Sequence, residues 1–144
     1  MKEGEEELIL IVCVDDNNGM MFNKRRQSQD HLVRKQIINE TKGSRLWMNQ
    51  YSYKQFVETV AGNIIVDDDL LNKALENDYC FIENISTHQY ESKINKIILY
   101  KWNRKYPADI YFDISLNEAI WKLDYIEDFE GYSHERITKE VYIK

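Results

Sequence analysis

The feature that most constrains the fold is a seven-residue apolar run, Leu8–Val14, which is rich in β-branched residues. A strand that is apolar on both faces is typical of the centre of a mainly parallel sheet, because such a sheet is covered on both sides. Residues 15–19, DDNNG, follow the run and are typical of a turn. We therefore predict a buried central strand, since seven residues fall far short of the roughly 18 to 20 needed to cross a bilayer.

A helix is predicted after a loop at 20–27, which is expected to be exposed. Ser28 is a candidate N-cap and Asp30 a first-turn carboxylate for a helix that ends near Glu40. Val33 and Ile37 have helical spacing and would form its buried face.

Strand and helix patterns then alternate along the chain. Strands are predicted at 45–48, 63–66, 79–82, 96–102, 121–125 and 137–143, short helices at 51–57, 70–75 and 89–94, and a short segment at 110–112. This order predicts an α/β fold with a mostly parallel central sheet, helices on both faces and a C-terminal antiparallel hairpin. We expect one domain over residues 8–144, preceded by an acidic extension at 1–7.

Charge is unevenly distributed along the chain. The formal net charge is −6, yet residues 24–45 include seven basic and two acidic side chains, a net charge of +5, so that the rest carries −11. An acidic body repels nucleic acid at long range, and general nucleic-acid binding is not expected. Two interpretations of the basic segment stay open: a local site for a phosphate or carboxylate, and a solvated surface that pairs with acidic groups.

Cysteine and histidine are too few and too dispersed for a metal centre. Cys13 and Cys80 lie in strand-like runs and are expected to be buried and reduced, and two thiols cannot complete a four-ligand zinc site. His31, His88 and His134 lack zinc-ligand spacing. We therefore expect no metal, no membrane segment and a cytoplasmic location.

Several segments, taken in order, resemble the dihydrofolate reductase family. They are LIVCVDDNNG (10–19), SQD (28–30), SRLWMNQYSYKQF (44–56), YCFIEN (79–84), YESKINKIILYKW (90–102) and YPADIYFD (106–113). The resemblance covers about residues 8–144 and implies the three-layer fold of that family. It also implies that Asp30 stands where the family keeps the carboxylate that binds the pterin ring and supports its protonation. In the alternative interpretation, Asp30 only stabilises the start of its helix.

The chain departs from that family where NADPH would be held. A pyrophosphate lies against a backbone only where side chains are absent and N–H groups point outward. The first such place reads MNQYS (48–52), without the family's Gly-Arg, and the second has Glu83 and Asn84 where a glycine pair would be. A carboxylate there repels phosphate, and no residue replaces the arginine, although Ser52 supplies a hydroxyl. Standard NADPH binding is therefore not expected, and the cofactor is left unknown.

Three functions stay open. The first is binding of a small pterin- or nucleotide-like ligand in the reductase cleft without standard NADPH-dependent catalysis. The second is an NADPH-dependent reductase with a rebuilt cofactor site. The third is a non-enzymatic module that docks a protein or RNA partner through an edge strand and the basic loop. The oligomeric state is left open.

The predicted site has Asp30 as its candidate catalytic residue. A second acid–base candidate is His134 beside Glu135, although neighbouring residues on a turn usually point apart. The predicted ligand-binding residues are Met20, Met21, Phe22, Lys24, Arg25, Arg26, Arg34, Met48, Ser52, Glu83 and Asn84.

Overall fold

The computed structural model describes residues 7–59, 61–117 and 119–144. Most of the predicted acidic extension, residues 1–6, therefore lies outside the described residues. Within the described ranges, no helix has the length and apolar character that a membrane crossing requires.

The described part of the chain forms ten strands, three α-helices and one 3-10 helix. The strands are β1 (Leu8–Val14), β2 (Gly19–Phe22), β3 (Arg25–Arg26), β4 (Leu46–Met48), β5 (Ile64–Val66), β6 (Tyr79–Ile82), β7 (Ile94–Lys101), β8 (Ile110–Tyr111), β9 (Lys122–Phe129) and β10 (Ile137–Ile143). The helices are α1 (His31–Glu40), α2 (Gln50–Tyr53) and α3 (Leu70–Lys73), and the 3-10 helix spans His88–Lys93.

The main sheet has seven strands in the order β5-β4-β6-β1-β7-β10-β9. β1 lies in its middle and pairs in parallel with β6 and β7, while β4 pairs in parallel with β5 and β6. β10 runs antiparallel to β7, and β9 runs antiparallel to β10. The predicted central strand, mostly parallel sheet and C-terminal antiparallel hairpin are confirmed.

Side chains from β1 alternate between two apolar cores, one on each face of the sheet. Leu8, Leu10 and Val12 belong to the core that includes Leu70 and Leu71 of α3. Ile9 and Ile11 belong to the core on the other face, which includes Val33 and Ile37 of α1. Helices therefore cover both faces, and the uninterrupted apolar run of β1 is explained by burial on both sides.

The segment predicted as an exposed loop at 20–27 is instead a β-hairpin. β2 pairs antiparallel with β3 and with β8 in a second, three-stranded sheet. Met20 and Met21 are buried in the core, and their contact with a ligand stays a prediction. Asn23 and Lys24 form the turn, and both have positive φ (52° and 64°).

The start of α1 also differs from the prediction. Asp30, not Ser28, is the N-cap, with extended backbone angles and a side chain that accepts a hydrogen bond from the Leu32 amide. Ser28 is left outside the helix, and its hydroxyl is free for another partner. The short helices predicted at 51–57, 70–75 and 89–94 appear as α2, α3 and the 3-10 helix, each with shifted bounds.

Candidate functional site

The carboxyl ends of the central strands and the start of α1 enclose a small cavity. In a sheet of this kind, ligand sites lie at the carboxyl ends of parallel strands. Here the cavity measures about 10 Å³, which is room for about one water molecule. Its walls include Cys13 of β1, Phe81 of β6, Glu83 and Trp102 beyond β6 and β7, and Ser28 and Asp30 before α1.

The Asp30 carboxylate is fully buried and accepts hydrogen bonds on both oxygens. Oδ1 accepts from the amides of Leu32 (2.9 Å) and Tyr132 (3.0 Å). Oδ2 accepts from the amide of Ser133 (2.9 Å), from its hydroxyl (3.2 Å) and from Nδ1 of His134 (2.8 Å). The side chain of Asp30 is 0% exposed. The carboxylate thus fastens the loop between β9 and β10 to the start of α1.

These contacts keep Asp30 ionised. Burial by itself would raise the pKa of Asp30, but donors from Ser133, Tyr132, His134 and Leu32 outweigh it, and the pKa lies well below the ordinary value. The loop approaches closely at Gly131, where a Cβ atom would lie 2.7 Å from Asp30 Oδ2. Asp30 therefore acts as helix cap and loop anchor, which corresponds to the interpretation that it stabilises the start of its helix.

His134 pairs with Asp30 rather than with Glu135. Its Nε2 lies 2.8 Å from the Ser28 hydroxyl, and its ring stacks on Trp102 at a centroid distance of 4.7 Å and an interplanar angle of 23°. His134 is buried, while Glu135 is exposed. The described contacts do not include the candidate His134–Glu135 pair, in line with the tendency of neighbouring turn residues to point apart, and His134 instead connects Ser28 with Asp30. Asp30 and His134 are 104 positions apart, and sequence spacing carries no sign of their contact.

Glu83 is neutralised by Arg26 instead of facing a phosphate. Arg26 donates to Glu83 through Nε (2.8 Å) and Nη2 (3.2 Å), and Gln55 Nε2 donates to the same carboxylate (2.9 Å). The Arg26 guanidinium also lies over the ring of Tyr51, 4.6 Å from its centroid. The pair is largely buried, with side-chain exposures of 18% and 7%. Through Tyr51 and Glu83, the cluster connects the two segments that lack the glycines of a phosphate-binding loop.

The two loops that lack glycine are bonded to each other. Asn49 Nδ2 donates to Asn84 Oδ1 (2.8 Å), and Asn49 Oδ1 accepts from the Ser52 amide as the cap of α2 (2.9 Å). Met48 and Ser52 are 0% exposed. Among the described residues, the Ser52 hydroxyl has no hydrogen-bond partner. Contact of Met48 and Ser52 with a ligand stays a prediction.

The predicted basic site is dispersed over three surfaces. Phe22, Lys24 and Arg25 are exposed on the β2–β3 hairpin. Arg26 turns inward to Glu83, and Arg34 on α1 donates to Gln29 (2.9 Å). A groove of about 330 Å³ on the hairpin is lined by Phe22, Asn23, Arg25, Arg26, Gln27, Tyr106 and Pro107.

A second groove, of about 310 Å³, lies between α1 and the segment after α2. We call it the α1 groove. Arg34 and Gln55 line both this groove and the small cavity, so the two spaces adjoin. The α1 groove is lined by His31, Arg34, Lys35, Ile38, Asn39, Gln55, Glu58 and Thr59. Of these, only Arg34 was among the predicted ligand-binding residues.

Both cysteines are free thiols. Burial, with the negative charge of Glu83 nearby, raises the pKa of Cys13, and burial with nearby Asp78 raises the pKa of Cys80 to about 12. A thiol held protonated is a poor nucleophile. Among the described residues, no group of three or more His, Cys, Asp or Glu side chains is placed to hold a metal ion.

Comparison with known proteins identifies the fold. No protein-family model matches the chain, and no curated protein matches it. Among solved structures, it is similar to dihydrofolate reductase from Enterococcus faecalis complexed with NADP(H) and RAB-propyl, with a TM-score of 0.69, 8% sequence identity and coverage of 96% of each chain. The chain therefore has a dihydrofolate reductase-like fold with a strongly diverged sequence, and the predicted resemblance in fold is confirmed.

Proposed function

We propose that this reductase-fold protein does not carry out NADPH-dependent hydride transfer by the family's route and binds a small anionic, pterin- or nucleotide-like ligand in the α1 groove. One observation carries the proposal. The polar groups at the carboxyl ends of the central strands, such as Arg26 and Glu83, are bonded to one another, whereas the α1 groove is open and is lined by the cations Arg34 and Lys35.

The argument against the cofactor rests on charge and space. A pyrophosphate at the β6 end would have to separate the Arg26–Glu83 pair or approach the Glu83 carboxylate, and either event is unfavourable in a largely buried place. The hydrogen bond between Asn49 and Asn84 obstructs access of a phosphate to the backbone after β4 and β6. The two amide side chains lie where a phosphate would have to contact backbone N–H groups directly.

Asp30 is not available to bind a pterin ring, because its carboxylate oxygens are already bonded within the chain. Asp30 already accepts five hydrogen bonds from its own chain. The remaining cavity holds about 10 Å³, which is far below the roughly 300 Å³ of a small-molecule pocket. A pterin ring would reach Asp30 only after the 131–134 loop had left.

The α1 groove has the size and chemistry of a small-ligand site. Its volume of about 310 Å³ lies at the lower end of ligand pockets. Arg34 and Lys35 are suited to a carboxylate or phosphate, and Gln55 and Asn39 offer amides that both donate and accept. Ile38 contributes apolar surface for a ring. The lining contains one acidic residue, Glu58, so the groove favours anions.

A second candidate, a protein-docking module, is favoured by β9. This eight-residue edge strand exposes Leu123 (49%), Tyr125 (47%) and Ile126 (56%). An edge strand with exposed apolar side chains is suited to pairing with an extended segment of another protein. Asp124, Glu127 and Asp128 on the same strand disfavour RNA and favour a basic protein segment.

The groove assignment is tested by calorimetric titration with p-aminobenzoyl-glutamate, dihydrofolate and nucleoside mono- and diphosphates. We expect saturable binding of at least one of them, and a loss of affinity of about ten-fold or more in an Arg34→Glu/Lys35→Glu double variant. The matched control is Lys24→Glu/Arg25→Glu, which makes the same change in net charge on the hairpin and should leave binding unchanged. Loss of binding in the hairpin variant alone, or no binding by any of these ligands at about 1 mM, would contradict the proposal.

A further inference from the structure

We infer that Ser28, His134 and Asp30 form a nucleophile, general base and positioning carboxylate that can hydrolyse small acyl esters. Ser28 Oγ lies 2.8 Å from His134 Nε2, and His134 Nδ1 lies 2.8 Å from Asp30 Oδ2. A hydroxyl within about 2.6 to 3.2 Å of a base, with that base oriented by a third group, is the arrangement that nucleophilic catalysis by serine requires.

The bonding pattern determines which ring nitrogen of neutral His134 carries the proton. An ionised carboxylate can only accept, so Nδ1 must donate to Asp30. Nε2 then has its lone pair directed at Ser28 and accepts the hydroxyl proton. Stacking on Trp102 and burial hold the ring in this orientation. The imidazole is thus prepared to remove a proton from Ser28 Oγ.

The position of Ser28 is consistent with a chemical role. Asp30 caps α1, so Ser28 is not needed as a cap. Its side chain is half-buried beside the small cavity. In the described part of the chain, the amides of Ser28 and Gln29 have no hydrogen-bond acceptor. An unpaired amide at the nucleophile or just after it is a typical donor to the oxyanion of an acyl-transfer intermediate.

The reaction has two balanced halves. Ser28 Oγ attacks the ester carbonyl carbon while its proton moves to His134 Nε2 and the carbonyl π electrons move to oxygen. The intermediate collapses with cleavage of the bond to the alcohol oxygen, and the alcohol leaves with the proton from Nε2. Water then attacks the acyl-serine and gives a proton to Nε2, and collapse releases the carboxylic acid as Oγ regains its proton.

The cavity limits the acyl group. A space of about 10 Å³ beside Ser28 holds about one water molecule, so it accommodates the methyl group of an acetyl ester and excludes a long acyl chain. The proposed substrates are therefore esters of short carboxylic acids.

The chain contains a matched control with the same three residue types. Ser86 donates to Asp113 (2.6 Å) and lies 3.2 Å from His88 Nδ1, and that same Nδ1 lies 2.9 Å from Asp113. The Ser86 hydroxyl therefore donates its proton to Asp113. The ring of His88 makes both of its polar contacts, with Ser86 and with Asp113, through Nδ1. Ser86 is more exposed than Ser28, and its hydroxyl donates to a carboxylate instead of to a histidine that a carboxylate orients. If Ser28 reacts and Ser86 does not, the reactivity of Ser28 comes from activation by His134 and not from exposure of its hydroxyl to solvent.

The test is labelling with a fluorophosphonate probe, followed by peptide mass spectrometry and a p-nitrophenyl acetate assay. We expect an adduct on Ser28, loss of the adduct and a rate decrease of about 100-fold or more in Ser28→Ala, and no change in Ser86→Ala. Absence of an adduct, persistence of equal labelling in Ser28→Ala, or equal loss in Ser86→Ala would overturn the inference.

A second pair of variants keeps the test independent of the ester chosen. Ser28→Cys places a thiol against His134, and Ser86→Cys places one at the exposed control position. We expect iodoacetamide to alkylate the cysteine at position 28 about ten-fold faster, because a neighbouring base promotes the thiolate. Equal rates, or faster reaction at the exposed position, would show that His134 does not activate its neighbour.

Discussion

Replacement of Asp30 by asparagine is expected to lower the free energy of unfolding by about 2 to 3 kcal/mol at pH 7, the upper part of the cost of leaving a buried hydrogen-bond donor without its acceptor. An asparagine offers one oxygen in place of two, and its NH₂ group would face donors such as the amide of Ser133 or Nδ1 of His134. Buried donors without acceptors carry the full cost of desolvation. Urea denaturation followed by tryptophan fluorescence measures the change.

Asp113→Asn is the matched control for this prediction. Asp113 also accepts several hydrogen bonds, from Ser86, Thr87 and His88, but its side chain is 31% exposed. Water can replace the lost acceptor there, so we expect a smaller destabilisation. A loss of less than about 1 kcal/mol in Asp30→Asn, or a larger loss in Asp113→Asn, would contradict the assignment of Asp30 as the buried anchor.

The same carboxylate makes stability depend on acid pH. The pKa of Asp30 is lower in the folded chain than the ordinary unfolded value near 4, so the unfolded state binds more protons as the pH falls. Its contribution is complete above about pH 4 and is lost as the pH falls towards the folded pKa. Stability of the unsubstituted chain should therefore fall more steeply below about pH 4 than that of Asp30→Asn.

Removal of the Glu83 carboxylate is expected to cost about 3 kcal/mol, the lower end for breaking a buried ion pair, because Arg26 would remain unpaired over Tyr51. Glu83→Ala is compared by urea denaturation with Glu58→Ala, an exposed glutamate on the rim of the α1 groove, which should change stability by less than about 0.5 kcal/mol.

A double variant identifies the origin of that loss. If the cost comes from an uncompensated charge, Arg26→Met/Glu83→Ala should be more stable than Glu83→Ala, because the stranded guanidinium is gone. Equal losses for Glu83→Ala and Glu58→Ala would mean that the pair does not hold the two loops together.

The strands could be predicted because burial of one or both faces gives a strand a recognisable pattern of apolar residues. β1 and β10 have the bounds expected from their apolar patterns, and Val33 and Ile37 are the buried residues of α1. The β2–β3 hairpin was missed because its two-residue turn, Asn23–Lys24, places a lysine at positive φ, where glycine is the usual signal.

The site was less predictable because its contacts join distant positions. The loss of the phosphate-binding glycines was visible in Glu83 and Asn84, but not the consequence that Arg26, 57 positions away, would neutralise Glu83. Ser28, His134 and Asp30 were each noticed for local reasons, as cap, turn residue and helix-start carboxylate. Their association depends on how the β9–β10 loop packs on α1, which no local pattern encodes.

The most direct test of the central claim is a titration of the purified chain with NADPH to about 1 mM, the upper end of ordinary KM values, followed by tryptophan fluorescence. Trp102 stacks on His134 beside the cavity and would sense a nicotinamide entering the cleft. We expect no saturable quench, since the Arg26–Glu83 pair and the Asn49–Asn84 bond close the cofactor side. Saturable binding that is abolished by competition with NADP⁺ would contradict the account and restore the reductase with a rebuilt cofactor site.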